Sequence, residues 1–144
     1  MTEFLYFISE NNLGDQFRII TNPDEVYSYY YISNAFVCAS YEESSPMTIL
    51  ESMAFNVPVI TTDVFGIPEI VRNNREALFV KPGSPLQIKE KIEYLIENPT
   101  EAAEIARNAR NRLVVKFDYT RFISDYQRCM VQAYFESSNT FINI

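Results

Sequence analysis

No histidine occurs in these 144 residues. Ser-His-Asp and Cys-His catalysis are therefore excluded within the chain, as is zinc held by imidazole. Glycine is scarce, with only Gly14, Gly66 and Gly83. None of them builds a GxGxxG or Walker pattern, which argues against a dinucleotide dehydrogenase or a P-loop kinase. Cysteine is limited to Cys38, in the apolar run AFVCA, and Cys129, in an amphipathic pattern. Both read as reduced core residues rather than as a disulfide or a metal pair. Cations are outnumbered, 12 against 19, which leaves a net charge of −7 and a pI near 4.6. Nucleic acid and anionic membrane surfaces are poor partners for such a chain. A single anionic ligand is still compatible with it, because backbone amides hold anions whatever the net charge. No run reaches transmembrane length. The start, MTEFLYFI, lacks a basic segment and a cleavage site, so it does not read as a signal peptide. The cytoplasm is the expected compartment.

What is present is an ordinary packed composition, 47% hydrophobic and 22% charged, sized for one domain or part of one. The pattern predicts a helix over 3–13, a strand over FRIIT at 17–21, and a helix over 24–32 that carries a tyrosine cluster. AFVCAS at 35–40 and VPVITT at 57–62 are apolar without alternation, as expected of strands buried on both faces. Between them a helix should start near Pro46, with Ser45 as a candidate cap and Asn56 as a left-handed stop. ALFV at 77–80 reads as a further strand. Helices are expected from Ser84-Pro85 to about Glu97, from Pro99 to Leu113, and over 119–136, followed by a tail at 137–144. Strands alternating with helices predict an α/β fold: a Rossmann-like, three-layer parallel sheet with flanking helices, and with the C-terminal helices packed at its end. Residues 1–136 are taken as one partial domain.

Two carboxylates flank the helix start in YEESSPMTILESMA. In open α/β sheets, ligands sit beyond the carboxyl ends of the strands. The helix following AFVCAS points its free N–H groups, from Met47 to Ile49, into that crevice. Glu51, about one turn into the helix, is placed to accept hydrogen bonds from a vicinal diol. Glu43, on the loop, is free to face another part of the same ligand. The plainer reading is that Glu43 favours the helix dipole and Glu51 belongs to a solvated face. Spacing alone leaves both readings open.

The segment ASYEESSPMTILESMAFNVPVITTDVFGIPEIV resembles the signature of retaining nucleotide-sugar glycosyltransferases of the GT-B fold, the group-1 family. Members carry a glutamate, seven residues and a second glutamate, here Glu43 and Glu51. LESMA, VPVI and GIPEIV follow in order, YYYISNAFVCAS precedes, and the likeness runs from about residue 10 to 136. The resemblance implies a C-terminal, donor-binding domain. Glu51 would bind the ribose hydroxyls of a UDP- or GDP-type donor, and Glu43 would contact the donor sugar near the reacting carbon, as the catalytic residue. The backbone of Pro46, Met47, Thr48 and Ile49 would hold the diphosphate, with Asn22 edging the base pocket. No metal or other cofactor is implied, only the nucleotide sugar as substrate.

The family pattern also carries protein upstream: a βα portion with an arginine and a lysine that clasp the diphosphate, and an N-terminal acceptor-binding domain absent from this chain. The expectation is that Met1 begins a truncated product and that this chain alone does not turn over. Arg75 and Ala77 stand where the family often has glycines. Two other readings compete: a non-catalytic binding or assembly module that shares the fold, and a different Rossmann-like enzyme such as a sugar epimerase. A partial sheet with an open edge would also favour self-association.

Overall fold

The computed structural model describes residues 2–20 and 26–140, with the side chains of residues 3–20 and 26–136. The element order is α1 (Thr2–Glu10), α2 (Val26–Ile32), β1 (Phe36–Cys38), α3 (Met47–Ala54), β2 (Val59–Thr62), α4 (Ile67–Ile70), β3 (Leu78–Val80), α5 (Pro85–Glu97), α6 (Pro99–Lys116) and α7 (Tyr119–Thr140). The strands form one parallel sheet in the order β1-β2-β3, with Phe36 beside Val59 and Ile60 beside Leu78.

Strand β2 is buried along its whole length, because successive side chains enter different cores. Val59 packs with Ile49 and Met53 of α3, Ile67 and Ile70 of α4, and Ala109 of α6. Ile60 packs on the other side with Leu78, Val80, Leu95, Ala102 and Ile105. Helix α6 serves both cores, through Ala102 and Ile105 at one end and Ala109 further on. The expected α/β three-layer sheet is therefore present, and its helices follow the predicted segments closely. Asn56 adopts φ 55° after α3, the left-handed stop expected of it.

Several expectations change. Strand β1 is not buried on both faces: Val37 is 39% exposed, because β1 lies at the edge of the described sheet. Residues 17–20 are irregular rather than a strand, with Phe17 and Ile19 exposed. A β-branched run cannot hold a strand without a hydrogen-bonded neighbour, and none reaches this segment among the described residues. Ser45 does not cap α3; Pro46 occupies that position, extended at φ −68° and ψ 111°, with no side-chain cap. Helix α7 continues to Thr140, past the predicted start of the tail. It also leaves its apolar stripe open, with Phe122, Tyr126, Met130 and Tyr134 all more than half exposed, rather than packed at the sheet's end. Both cysteines are free thiols, but Cys129 lies on the surface and not in a core. No helix among the described residues is long and apolar enough to cross a membrane.

Candidate functional site

Parallel strands put every carboxyl end on one edge, so the loops after β1, β2 and β3 converge there. The amide of Gly66, in the loop after β2, donates to the carbonyl of Glu43, in the loop after β1, at 3.3 Å. The two loops approach so closely that a Cβ on Gly66 would lie 1.7 Å from the Ser44 carbonyl oxygen. From the loop after β3, Gly83 at φ +72° packs against the phenol end of Tyr41, whose hydroxyl oxygen would lie 2.7 Å from a Cβ there. Thr62 Oγ1 donates to the Ser40 carbonyl at 2.7 Å and ties β2 to the same corner.

Glu43 stands in this corner. It lines a cavity of about 360 Å³ with Glu42, Ser44 and Phe65. Its Oε1 accepts the Ser44 amide at 3.1 Å, which fixes the carboxylate on its own loop. Helix α3 begins four residues later. Pro46 is buried and has no N–H, and Ile49 donates its amide back to the Pro46 carbonyl at 3.1 Å. Ile49 itself is fully buried in the core. Of the expected amide donors, Met47 and Thr48 are left without partners among the described residues. Both residues are exposed, so their N–H groups face solvent at the positive end of the helix.

Glu51 has a partner that the sequence did not announce. Tyr30 donates its hydroxyl to Glu51 Oε2 at 3.0 Å and also approaches the Thr48 carbonyl, 3.4 Å away. Tyr30 is 7% exposed, stacked on Phe55 at 5.8 Å and tilted against Phe36. Burial, and then the hydrogen bond and charge of Glu51, push the phenol up to about 12. The tyrosine keeps its proton and holds one oxygen of Glu51, while Oε1 has no partner among the described residues. Glu51 lines none of the described cavities. Asn22 lies outside the described residues. The structure thus places Glu43, Met47 and Thr48 at one corner, with Glu51 one turn further along α3.

Comparison with known proteins bears on what such a corner is for. The model for "Glycosyl transferases group 1" matches residues 3–112. The capsular polysaccharide biosynthesis glycosyltransferase CapM of Staphylococcus aureus is 34% identical over 99 residues, 69% of this chain and 26% of that protein. The C-terminal domain of a group 1 family glycosyl transferase, LpcC of Francisella tularensis, superimposes with a TM-score of 0.72 at 28% identity, over 82% of this chain and 62% of that one. HepE of Anabaena, solved with UDP-glucose, gives a TM-score of 0.86 over 91% of this chain and 36% of its own, and at 19% identity this speaks for the fold. The chain spans only about a quarter to a third of the curated relatives, 26% to 32% of the first three. The family match covers most of the chain, both glutamates and the whole carboxyl corner included: the protein belongs to the group 1 glycosyl transferases.

Proposed function

We propose that this chain is the donor-binding domain of a retaining glycosyltransferase. Its substrate would be a UDP- or GDP-type sugar, and the acceptor of the whole enzyme a glycan or a lipid. The observation that carries the reading is the start of α3. Two unpartnered amides, of Met47 and Thr48, open at the helix start, four and five residues after Glu43. Such a helix start is a seat for a diphosphate, the leaving group of glycosyl transfer, and fixed donors there stabilise its developing charge. Glu43 contacts the donor sugar near its reacting carbon. Glu51, with one oxygen held by Tyr30, takes the ribose hydroxyls through the other. HepE, whose fold this chain shares, was solved with UDP-glucose, which supports the choice of ligand class.

Transfer requires more protein than this chain, which matches about a quarter of CapM. An N-terminal acceptor-binding domain is the expected partner. The cytoplasm is the proposed compartment, a reading supported by two free thiols. The second reading, a binding module without catalysis, draws on Glu51 standing outside the described cavities. Titration of the chain with UDP and GDP decides between them. Weak binding of one nucleotide, lost in Glu51→Ala, supports donor capture; no binding of either, or equal binding by the variant, overturns it. Turnover of a UDP- or GDP-sugar by the isolated chain would refute the claim that it captures donor without transferring sugar.

A further inference from the structure

At the opposite edge of the sheet, where β3 begins, a second cavity of about 550 Å³ opens between the end of α4, the later half of α6 and the start of α7. Arg72, Arg75, Arg112, Lys116 and Arg121 all line it, five of the chain's 12 cations. The one acidic residue in the lining is Glu76, 2% exposed beneath Arg72. Counting Asp125, which pairs with Arg121 at 3.6 Å, and Asp118, which accepts the Arg121 amide at 3.1 Å, the group holds five cations against three carboxylates, a net +2 in a chain of −7.

Part of this charge has structural work. Arg72 binds Glu76 through Nε at 3.0 Å and Nη2 at 2.5 Å. Arg112 donates to the carbonyls of Ile70 and Glu69 at 2.5 and 2.8 Å, and Lys116 to that of Glu69 at 2.8 Å. These bonds close the carbonyl end of α4 and neutralise Glu76. They do not use up the donors, since a guanidinium carries five N–H groups and an ammonium three. The same bonds fix the side chains in place, so a ligand need not pay to order them. The carboxamides of Asn108 and Asn111, also in the lining, have no partner among the described residues. Cations crowded around one buried carboxylate repel each other, and an anion in the cavity relieves that repulsion.

We propose that this cavity is a second anion site, which takes a multiply charged phosphoryl group. One guanidinium satisfies one carboxylate. Guanidinium and ammonium donors arriving from three elements suit the several oxygens of a phosphoryl group. The cavity volume lies in the range of small-molecule sites, so the ligand is larger than a lone ion: a polyphosphate, or a phosphomonoester headgroup with its first carbons. The site is separate from the Glu43 corner, because the strands run parallel and the two lie at their opposite ends.

The test is a titration of the full chain with sodium pyrophosphate, followed through the backbone amide resonances. Saturable shifts at Arg72 to Glu76 and in the later half of α6 are expected. Arg75→Gln with Lys116→Gln should weaken binding about tenfold or more, while the charge-matched exposed pair Lys89→Gln with Arg107→Gln should leave it unchanged. Amide shifts at Met47 and Thr48 report the donor corner separately, and a melting curve verifies that each variant folds. Co-sedimentation with phosphatidylcholine vesicles, with and without phosphatidic acid, identifies the source. Binding to both pyrophosphate and the acidic vesicles supports a headgroup, and binding to pyrophosphate alone supports a soluble phosphoryl ligand. Absence of shifts at the cavity, or equal affinity in the two double variants, overturns the proposal.

Discussion

Gly66→Ala isolates the packing that builds the carboxyl corner. Gly66 has φ −80° and ψ −8°, a conformation open to any residue, so alanine meets no backbone strain. The new methyl would lie 1.7 Å from the Ser44 carbonyl oxygen, against an ordinary contact of at least 3.4 Å. The two loops must therefore part by about 1.7 Å, the difference of those distances. The obstacle is backbone on both sides, which cannot rotate away. Parting breaks the 3.3 Å bond from the Gly66 amide to the Glu43 carbonyl, so the residue that lines the cavity moves with it. Overpacking costs about 1–3 kcal/mol and the lost bond about 1, a total of roughly 2–4 kcal/mol. For a chain of this size that lowers Tm by about 5–15 °C. Thermal unfolding followed by circular dichroism reads it directly. Gly14→Ala is the control, since nothing lies within 4 Å of a Cβ there and its effect should be slight. Equal melting shifts in the two variants would refute the close approach of the two loops.

Tyr30→Phe keeps the ring stack on Phe55 and removes only the hydroxyl, so it should cost about 1–2 kcal/mol in urea unfolding. Because the folded-state pKa is raised to about 12 from 10.0, the native chain holds this proton more tightly than the unfolded chain does. That contribution is complete below pH 10 and is lost as pH rises towards 12, and the alkaline loss should be smaller in Tyr30→Phe. Glu76→Gln removes a carboxylate from beneath Arg72; solvent reaching Arg72, which is 46% exposed, trims the cost to about 1–2 kcal/mol. Burial alone would raise the pKa of Glu76, but the hydrogen bonds from Arg72 and the charges of Arg72 and Arg112 outweigh it and hold it below the ordinary 4.5. Stability from Glu76 is therefore present above that value and is lost as pH falls through the lower folded one, and denaturant midpoints of Glu76→Gln should lack this acid step.

What the sequence disclosed was what short-range pattern can encode. The unbroken apolar run around Ile60 marks a strand buried on two faces, and Pro46 with Ile49, Leu50 and Met53 marks a helix start and its inner side; the same kind of run around Val37 gave a strand but not its burial, because β1 lies at the edge of the described sheet. Two of the amides at that start are open, as their position implies. FRIIT failed because strand formation is settled by a neighbour outside the local window, and residues 17–20 have none among those described. The bond between Tyr30 and Glu51 joins residues 21 apart, with no periodicity to announce it. The tyrosine cluster over 24–32 does not tell that one of its hydroxyls meets a carboxylate. Glu76 did leave a signal, Arg72 four residues before it, yet the charge of Arg112 reaches it from far along the chain, which no local pattern shows.

The net charge of −7 conceals a division along the strands. Beyond their carboxyl ends, the loops carry Glu42, Glu43 and Asp63, and Lys81 is the single cation among residues 39–46, 63–66 and 81–84. Lys81 does not line the Glu43 cavity. A dianionic donor at this corner must be held by partial charge, chiefly the amides of Met47 and Thr48 at the helix start, worth about half a unit together. On the proposed reading those amides would fix where a diphosphate sits but contribute little to how tightly it is held, and the neighbouring carboxylates would oppose it. Weak donor binding by this chain is therefore expected under the proposal, as the charges at that edge require. Under the same proposal, a complementary piece of protein would supply full positive charge there. At the amino ends the balance reverses, with five cations around the buried Glu76. A parallel sheet makes the separation unavoidable, because its two edges collect different loops, and each edge sets its own electrostatics whatever the sum over the chain.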